Sequence, residues 1–289
     1  MFDADALQRA VRERSVAFKT EDGAELVGRL YLPSGRPFAA VVLNSATGVP
    51  QTFYTHFARW LAAERGMACL TYDYRGTGRS CAGPMRKVVA DMSDWGIRDQ
   101  TAARRIMRDE VPGVPLWIIG HSLGAIMLPN QSDMDDVVRV IGVASGMVHH
   151  SDHPWPYRAL ALNFWFALGP VATRLYGYLP GKPLKFGEDL PAGVFWQWRR
   201  WCTSRDFYDA DIGTRMPAPD WQSEARVRLH SFADDDLIPV HCVERLRNVF
   251  GPRAEHVTID AKDHDLDTIG HLGAFSRRNR AIWGTLLEG

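Results

Sequence analysis

The sequence predicts an α/β fold with a mostly parallel, doubly wound sheet and one insertion. Three observations predict it. Strand-like apolar runs alternate with segments of helical period along most of the 289 residues. The runs "FAAVVLNSA" (38–46) and "VPLWIIG" (114–120) are nearly continuous rather than alternating, as expected of strands buried on both faces. The alternation pauses over 147–222, where six of the ten tryptophans lie, and then resumes.

Each element can be justified in turn. Residues 13–20 and 24–33 are β-rich and flank "EDG", which predicts an antiparallel hairpin. After the 38–46 strand, "TFYTHFARWLAAERG" (52–66) carries Phe53, Phe57, Trp60 and Leu61 at helical spacing and ends on a glycine. "MACLTYDYRG" (67–76) is the next strand. Residues 93–110 read as a helix with Ser93 as its N-cap. The 114–120 strand then leads into "SLGAIMLPN", which starts helically. "VVRVIGVASG" (137–146) is a further strand. Beyond the aromatic segment come strand 226–233, helix 240–250, strand 255–261 and a closing helix over 273–289. The chain thus divides into a core, 1–146 with 223–289, and an aromatic-rich insertion, 147–222. An insertion between two sheet strands lands at one end of the sheet, where it can act as a lid.

Composition narrows the function classes. Formal net charge is zero, which favours neither nucleic acid nor an anionic membrane as partner. Four scattered cysteines form no CxxC pair, so a zinc knuckle and a disulfide framework are not expected. The N-terminal "MFDADALQRAVRERS" is charged and has no apolar leader core. The longest apolar stretch, 159–172, is too short to span a bilayer. The expectation is a cytoplasmic protein without a cofactor. Oligomeric state is not legible.

"GHSLG" (120–124) matches G-x-S-x-G. By composition alone such a match arises about once in ten chains of this length. Here a buried strand runs into it and a helical segment leaves it, as a nucleophile elbow needs. Gly120 and Gly124 remove side chains that would crowd the turn, and Ser122 meets a helix N-terminus, which favours developing negative charge.

Over essentially its whole length the chain resembles the α/β-hydrolase family, and within it a bacterial subgroup of predicted serine hydrolases with an inserted aromatic lid. The resemblance rests on "ATGVPQTFY" (46–54), "DYRGTGRS" (73–80), "GHSLG", "GYLPGKPLKFGEDLPAGVFWQWRRW" (177–201) and "IGHLGAF" (269–275). It implies an α/β-hydrolase fold, with an inserted helical lid, and a chain order of Ser, acid, His. The acid then belongs in "SFADDDLIP" (231–239). The family pattern Asp-x-x-aliphatic-Pro points to Asp235, with Asp234 and Asp236 as competitors that spacing does not exclude. The base belongs in the loop after the last strand. His271, in "IGHLGAF", resembles the family's Gly-His loop and is preferred to His264.

One oxyanion donor should be the N–H of Leu123, the residue after the nucleophile. The other should come from "NSATGVP", which departs from the family's His-Gly start; Thr47 is chosen by position and Ala46 is next. "RGTGRS" (75–80) lacks both a dinucleotide fingerprint and a P-loop lysine and reads as a turn. Asp263, His264, Asp265, Asp267 and His271 could in principle bind a metal, as could "HHSDH" (149–153), but a serine nucleophile leaves a metal without a role, and none is expected. Most of the aromatics in the insertion should be core, with Trp165 and Trp198 as candidates to touch substrate.

These residues imply a serine hydrolase acting on an apolar ester or thioester. An acyltransferase would use the same triad. A lyase, or a ligand-binding protein on the same scaffold, is a weaker reading. An epoxide hydrolase or dehalogenase would need Asp at the elbow.

Overall fold

A computed structural model describes residues 11–184 and 186–288. Most of the stretch read for a leader, together with Lys185 and Gly289, lies outside the described residues. Strands β1 (Val11–Lys19) and β2 (Glu25–Pro33) form the expected antiparallel hairpin. β3 (Ala40–Asn44), β4 (Ala68–Tyr72), β5 (Leu116–His121), β6 (Val137–Val143), β9 (Arg226–Phe232) and β10 (Glu255–Ile259) run parallel to their neighbours. The eight-stranded order is β1-β2-β4-β3-β5-β6-β9-β10, with β2 antiparallel to β4. Every residue of β3 and β4 is buried. Such strands need helices on both faces, and those helices supply two apolar cores. Trp95, Ala103 and Met107 pack on one side of the sheet. Phe57, Trp60, Leu61, Phe275 and Trp283 pack on the other. Apolar burial of this extent is the main force holding the sheet in register.

Two expectations about helices need correction, and a third helix, which starts where expected, is short. Ser93 is not an N-cap: it already has helical dihedrals, and its N–H and hydroxyl both donate to Gln197 Oε1. The start lies earlier, where the Asp94 carboxylate accepts the Asp91 N–H. The helix after the elbow is one turn long, Leu123–Ile126, followed by a 3-10 turn at Leu128–Asn130. Pro129 has no N–H and restricts Leu128, so the turn cannot propagate. The closing segment is also broken, into a 3-10 turn at Arg277–Ile282 and a short helix at Trp283–Leu286. Asn279 leaves helical dihedrals there, and its side-chain amide donates to the Thr268 and Gly273 carbonyls.

Residues 147–222 intervene between β6 and β9. They contain helices Tyr157–Asn163, Gly169–Tyr176 and Ala192–Thr203, and a two-stranded ribbon of β7 (Tyr178–Leu179) and β8 (Leu190–Pro191). A π-helical stretch, Phe164–Leu168, joins the first two helices. Rings pack against rings here, as in the edge-to-face pair of Trp165 and Trp198 at 4.9 Å. Among the described residues no helix is long and apolar enough to cross a membrane.

Candidate active site

β5 ends at His121, and the chain turns at once. Ser122 sits at φ 53°, ψ −113°, a conformation that costs a non-glycine residue on the order of 1–3 kcal/mol. Its N–H donates to the Val143 carbonyl at the end of β6, which fixes the turn to the sheet. The flanking glycines are sterically required. A Cβ at Gly120 would lie 2.5 Å from the Gly124 carbonyl group, and one at Gly124 only 2.3 Å from the Asn44 carbonyl oxygen.

Beyond β9 the three consecutive aspartates take three different roles. The Asp235 carboxylate is buried, and its Oδ2 accepts a 2.9 Å hydrogen bond from His271 Nδ1. Its Oδ1 accepts the Leu237 and Ile238 N–H groups. A carboxylate only accepts, so Nδ1 carries the hydrogen and Nε2 of the neutral ring keeps its lone pair. Asp234 instead ties down the loop that carries His271. It accepts from the Thr268 hydroxyl, the Ile269 N–H and the Gly270 N–H. Burial pushes the Asp234 carboxyl up, but those donors outweigh it and hold the group below its ordinary range. The Asp236 side chain is exposed, while its backbone carbonyl accepts from His153 Nδ1.

A buried relay connects the elbow to both loops. The Ala46 N–H donates to Tyr54 Oη, and Tyr54 pairs with His121 Nδ1 at 2.8 Å. His121 Nε2 meets the His271 carbonyl at 2.9 Å. A carbonyl must accept, so Nε2 carries the hydrogen, Nδ1 accepts, and the Tyr54 hydroxyl donates. Burial, then the neighbouring His271, pushes the His121 pKa down to about 3, so the ring stays neutral. The Ala46 N–H is thus spent on Tyr54, while Thr47 of that loop lines the same cavity as Ser122. The loop is braced by Asp73, which accepts the Gln51 N–H, and by the Glu188 N–H donated to the Gly48 carbonyl.

Thr47, Ser122, Leu123, Trp165 and Trp198 all line one cavity of about 360 Å³. Its walls are mostly apolar. Phe164, Leu168 and Phe186 join the two tryptophans from the insertion, while Ile126, Leu237 and Ile238 come from the core side. The rings of His121 and His271 lie 5.2 Å apart, which brings His271 beside the elbow. Among the described residues no hydrogen bond joins Ser122 Oγ to His271. His264 lies apart, in the turn Ala261–His264, and bonds to none of these groups among the described residues. The stretch 263–271 gathers no set of metal ligands there. The histidines of "HHSDH" have separate partners: His149 bonds Ser151, His150 packs on Phe166 and on the His149 ring at 4.0 Å, and His153 bonds Asp236. Asp152 does approach His241 and Cys242, but Arg245 already engages both Asp152 oxygens.

Sequence reasoning passed over Tyr54 and His121, and weighed His153 only as one of the possible metal ligands of "HHSDH". His121 lies inside the quoted elbow, and Tyr54 falls one place after the apolar Phe53. Only their tertiary hydrogen bonds distinguish them from core residues.

The profile of the family described as "Serine aminopeptidase, S33" matches residues 35–184. The chain belongs to that family. It is also similar to monoglyceride lipase of Homo sapiens, 29% identical over 103 residues, which are 36% of this chain and 33% of that protein. The Mus musculus protein matches over the same length at 28%. The matched stretch thus spans about a third of these relatives. Among solved structures, the α/β hydrolase GrgF of Penicillium sp. sh18 superposes with a TM-score of 0.62 at 18% identity, covering 96% of each chain. The Pyrococcus furiosus esterase Pf2001 gives 0.61 at 16%, covering 99% of this chain and 91% of that one. Likeness at such identities speaks for the fold. The chain has the α/β-hydrolase fold.

Proposed function

We propose that the protein cleaves carboxylic esters or thioesters of apolar acids through an acyl-enzyme on Ser122. His271 Nε2 takes the Ser122 proton as Oγ attacks the acyl carbon. Asp235 holds the ring in the required tautomer and stabilises the imidazolium. The N–H groups of Leu123 and Thr47 receive the oxyanion. The leaving group departs with a proton from His271, which then activates water for deacylation. A free Ser122–His271 pair without its hydrogen bond is compatible with this, since such contacts often tighten only when substrate binds.

The observation that carries the reading is an elbow serine that lines an apolar cavity, with a His–Asp pair packed against the elbow through His121. The cavity walls support an apolar acyl group. The part-length similarity to monoglyceride lipases points the same way, towards a fatty acyl ester. We further propose that residues 147–222 act as a lid over a core of 1–146 and 223–289. The four cysteines are free thiols, which suits the cytoplasm.

A fluorophosphonate should label Ser122 alone, as read by peptide mass spectrometry. Ser122→Ala should lose the adduct and about 10⁵-fold or more of kcat on an octanoate ester while melting within a few degrees of wild type. Turnover retained by a folded Ser122→Ala variant would overturn the mechanism.

A further inference from the structure

Polar groups without a partner among the described residues face this apolar cavity, and His153 is among the most buried of those in the insertion. His153 lines the cavity and is only 5% exposed. Its Nδ1 lies 3.1 Å from the Asp236 carbonyl, which can only accept, so Nδ1 carries the hydrogen. Burial lowers the pKa of the ring, which is therefore neutral at pH 7. Nε2 is then a bare acceptor, and among the described residues nothing donates to it. An unpaired acceptor that faces a mostly apolar binding cavity points to a donor supplied by the ligand. The adjacent Tyr157, whose ring centroid lies 5.1 Å from that of His153, lines the same cavity. Its hydroxyl also has no partner among the described residues. The carboxyls of Asp235 and Asp236 help to push the Tyr157 phenol up to about 12, after burial. It therefore remains a donor.

The location decides which part of a substrate meets this pair. His153 is tethered to Asp236, the residue next to Asp235, and Asp235 is bonded to His271. In acyl transfer the acyl C–O bond breaks, its electron pair leaves with the alkoxide, and the alkoxide takes its proton from His271. The leaving alcohol thus departs at the end of the cavity where His153 and Tyr157 stand. The acyl chain is left with the apolar walls of Phe164, Trp165, Leu168, Phe186 and Trp198. We propose that His153, assisted by Tyr157, forms a leaving-group subsite that selects esters whose alcohol carries a further free hydroxyl. The hydroxyl donates to His153 Nε2, and its oxygen can accept from Tyr157. This inference rests on the ester-hydrolase reading above.

Three octanoate esters of similar length test it: the ethylene glycol monoester, the methoxyethyl ester and the propyl ester. The first offers a donor, the second only an acceptor, the third neither. Wild-type kcat/KM should favour the glycol monoester by about tenfold over both others, the size expected of one hydrogen bond made by the first ester and by neither of the others. In His153→Phe the preference should collapse towards one, and Tyr157→Phe should reduce it less. His153→Gln, which keeps an acceptor, should restore part of it. Circular dichroism and the rate of Ser122 labelling check that each variant is folded. Equal wild-type values for the three esters would overturn the subsite without any variant, as would a preference that survives His153→Phe. If neither fluorophosphonate nor any of the three esters reacts at Ser122, the parent reading fails and the subsite fails with it. Normal labelling and turnover without discrimination sinks the subsite alone.

Discussion

On the sheet side of the cavity, Ser122 and Asp235 follow the ends of β5 and β9, and His271 stands in the one-turn helix Gly270–Gly273 beyond β10. Across from them, the wall formed by 147–222 has no strand from the main sheet. The first region is positioned by backbone: a Ser122 N–H on Val143, a Gly124 pressed on Asn44, an Asp234 gripping two N–H groups of the His271 loop. The second rests more on rings packed on rings, such as Phe164 on Phe186 at 4.7 Å and Trp165 on Trp198, with a few hydrogen bonds to the core such as Ser93 to Gln197. Backbone placement is strict, and a shift of one atom shows up as a clash or a lost hydrogen bond. Ring packing can re-form around a changed shape, at a modest cost when volume is conserved. The comparison teaches that chemistry and selectivity are held by different forces, and so should respond to different mutations.

The sharpest way to break that division lies in two neighbouring aspartates. Asp235→Asn should lower kcat by about 10³–10⁴ for every ester, because the His271 tautomer is no longer imposed. Asp234→Asn should leave most of kcat and instead loosen the His271 loop, costing on the order of 1–3 kcal/mol of stability. Steady-state kinetics beside urea unfolding will separate the two, and equal losses of kcat would show that loop placement and chemistry are not separable.

A second, smaller contrast pairs Gly124→Ala with Trp198→Ala. The added methyl at 124 would run into the Asn44 carbonyl and Cβ, so the variant should lose on the order of 1–3 kcal/mol or more and act poorly on all esters. Truncating Trp198 should change selectivity: kcat/KM for octanoate should fall about tenfold relative to acetate, in line with the apolar area removed. A uniform loss across chain lengths would mean that Trp198 supports the fold rather than the acyl site.

The smallest expected effect is on pH dependence. Burial, followed by nearby charges, pushes His121 to about 3 and His230 to about 4, below the ordinary value of about 6.5. The unfolded chain binds protons that these rings refuse in the native state. Their contribution to stability is therefore full above about pH 6.5 and is lost as pH falls from there towards 4. Urea midpoints between pH 7.5 and 4.5 should decline, and His121→Gln should flatten part of the decline. An unchanged slope would place the acid sensitivity elsewhere.

Much of the sheet was legible because two signals agree in it. Continuous apolar runs mark strands buried on both faces, and "GHSLG" sits where a strand must turn sharply. The elbow glycines could be read from spacing because a tight strand–turn–helix excludes side chains by local sterics. Helix ends were less legible. Ser93 looks like a cap in isolation, but its donors are taken by Gln197, 104 residues further on. The closing segment looks helical until Asn279 turns its amide to the Thr268 and Gly273 carbonyls.

What the sequence by itself determined was the alternation of strands and helices, the elbow at Ser122 and the short stretches that offer an acid and a base. These follow from local period, turn sterics and chain order. Only the tertiary structure decided that Asp235 bonds His271 while Asp234 clamps the loop. It also decided that Ala46 is occupied by Tyr54, and that His153 keeps a free nitrogen in an apolar cavity. The physical reason is directional. A hydrogen bond depends on where a partner distant in sequence places its lone pair or proton, and three aspartates in a row are alike until that partner is in place.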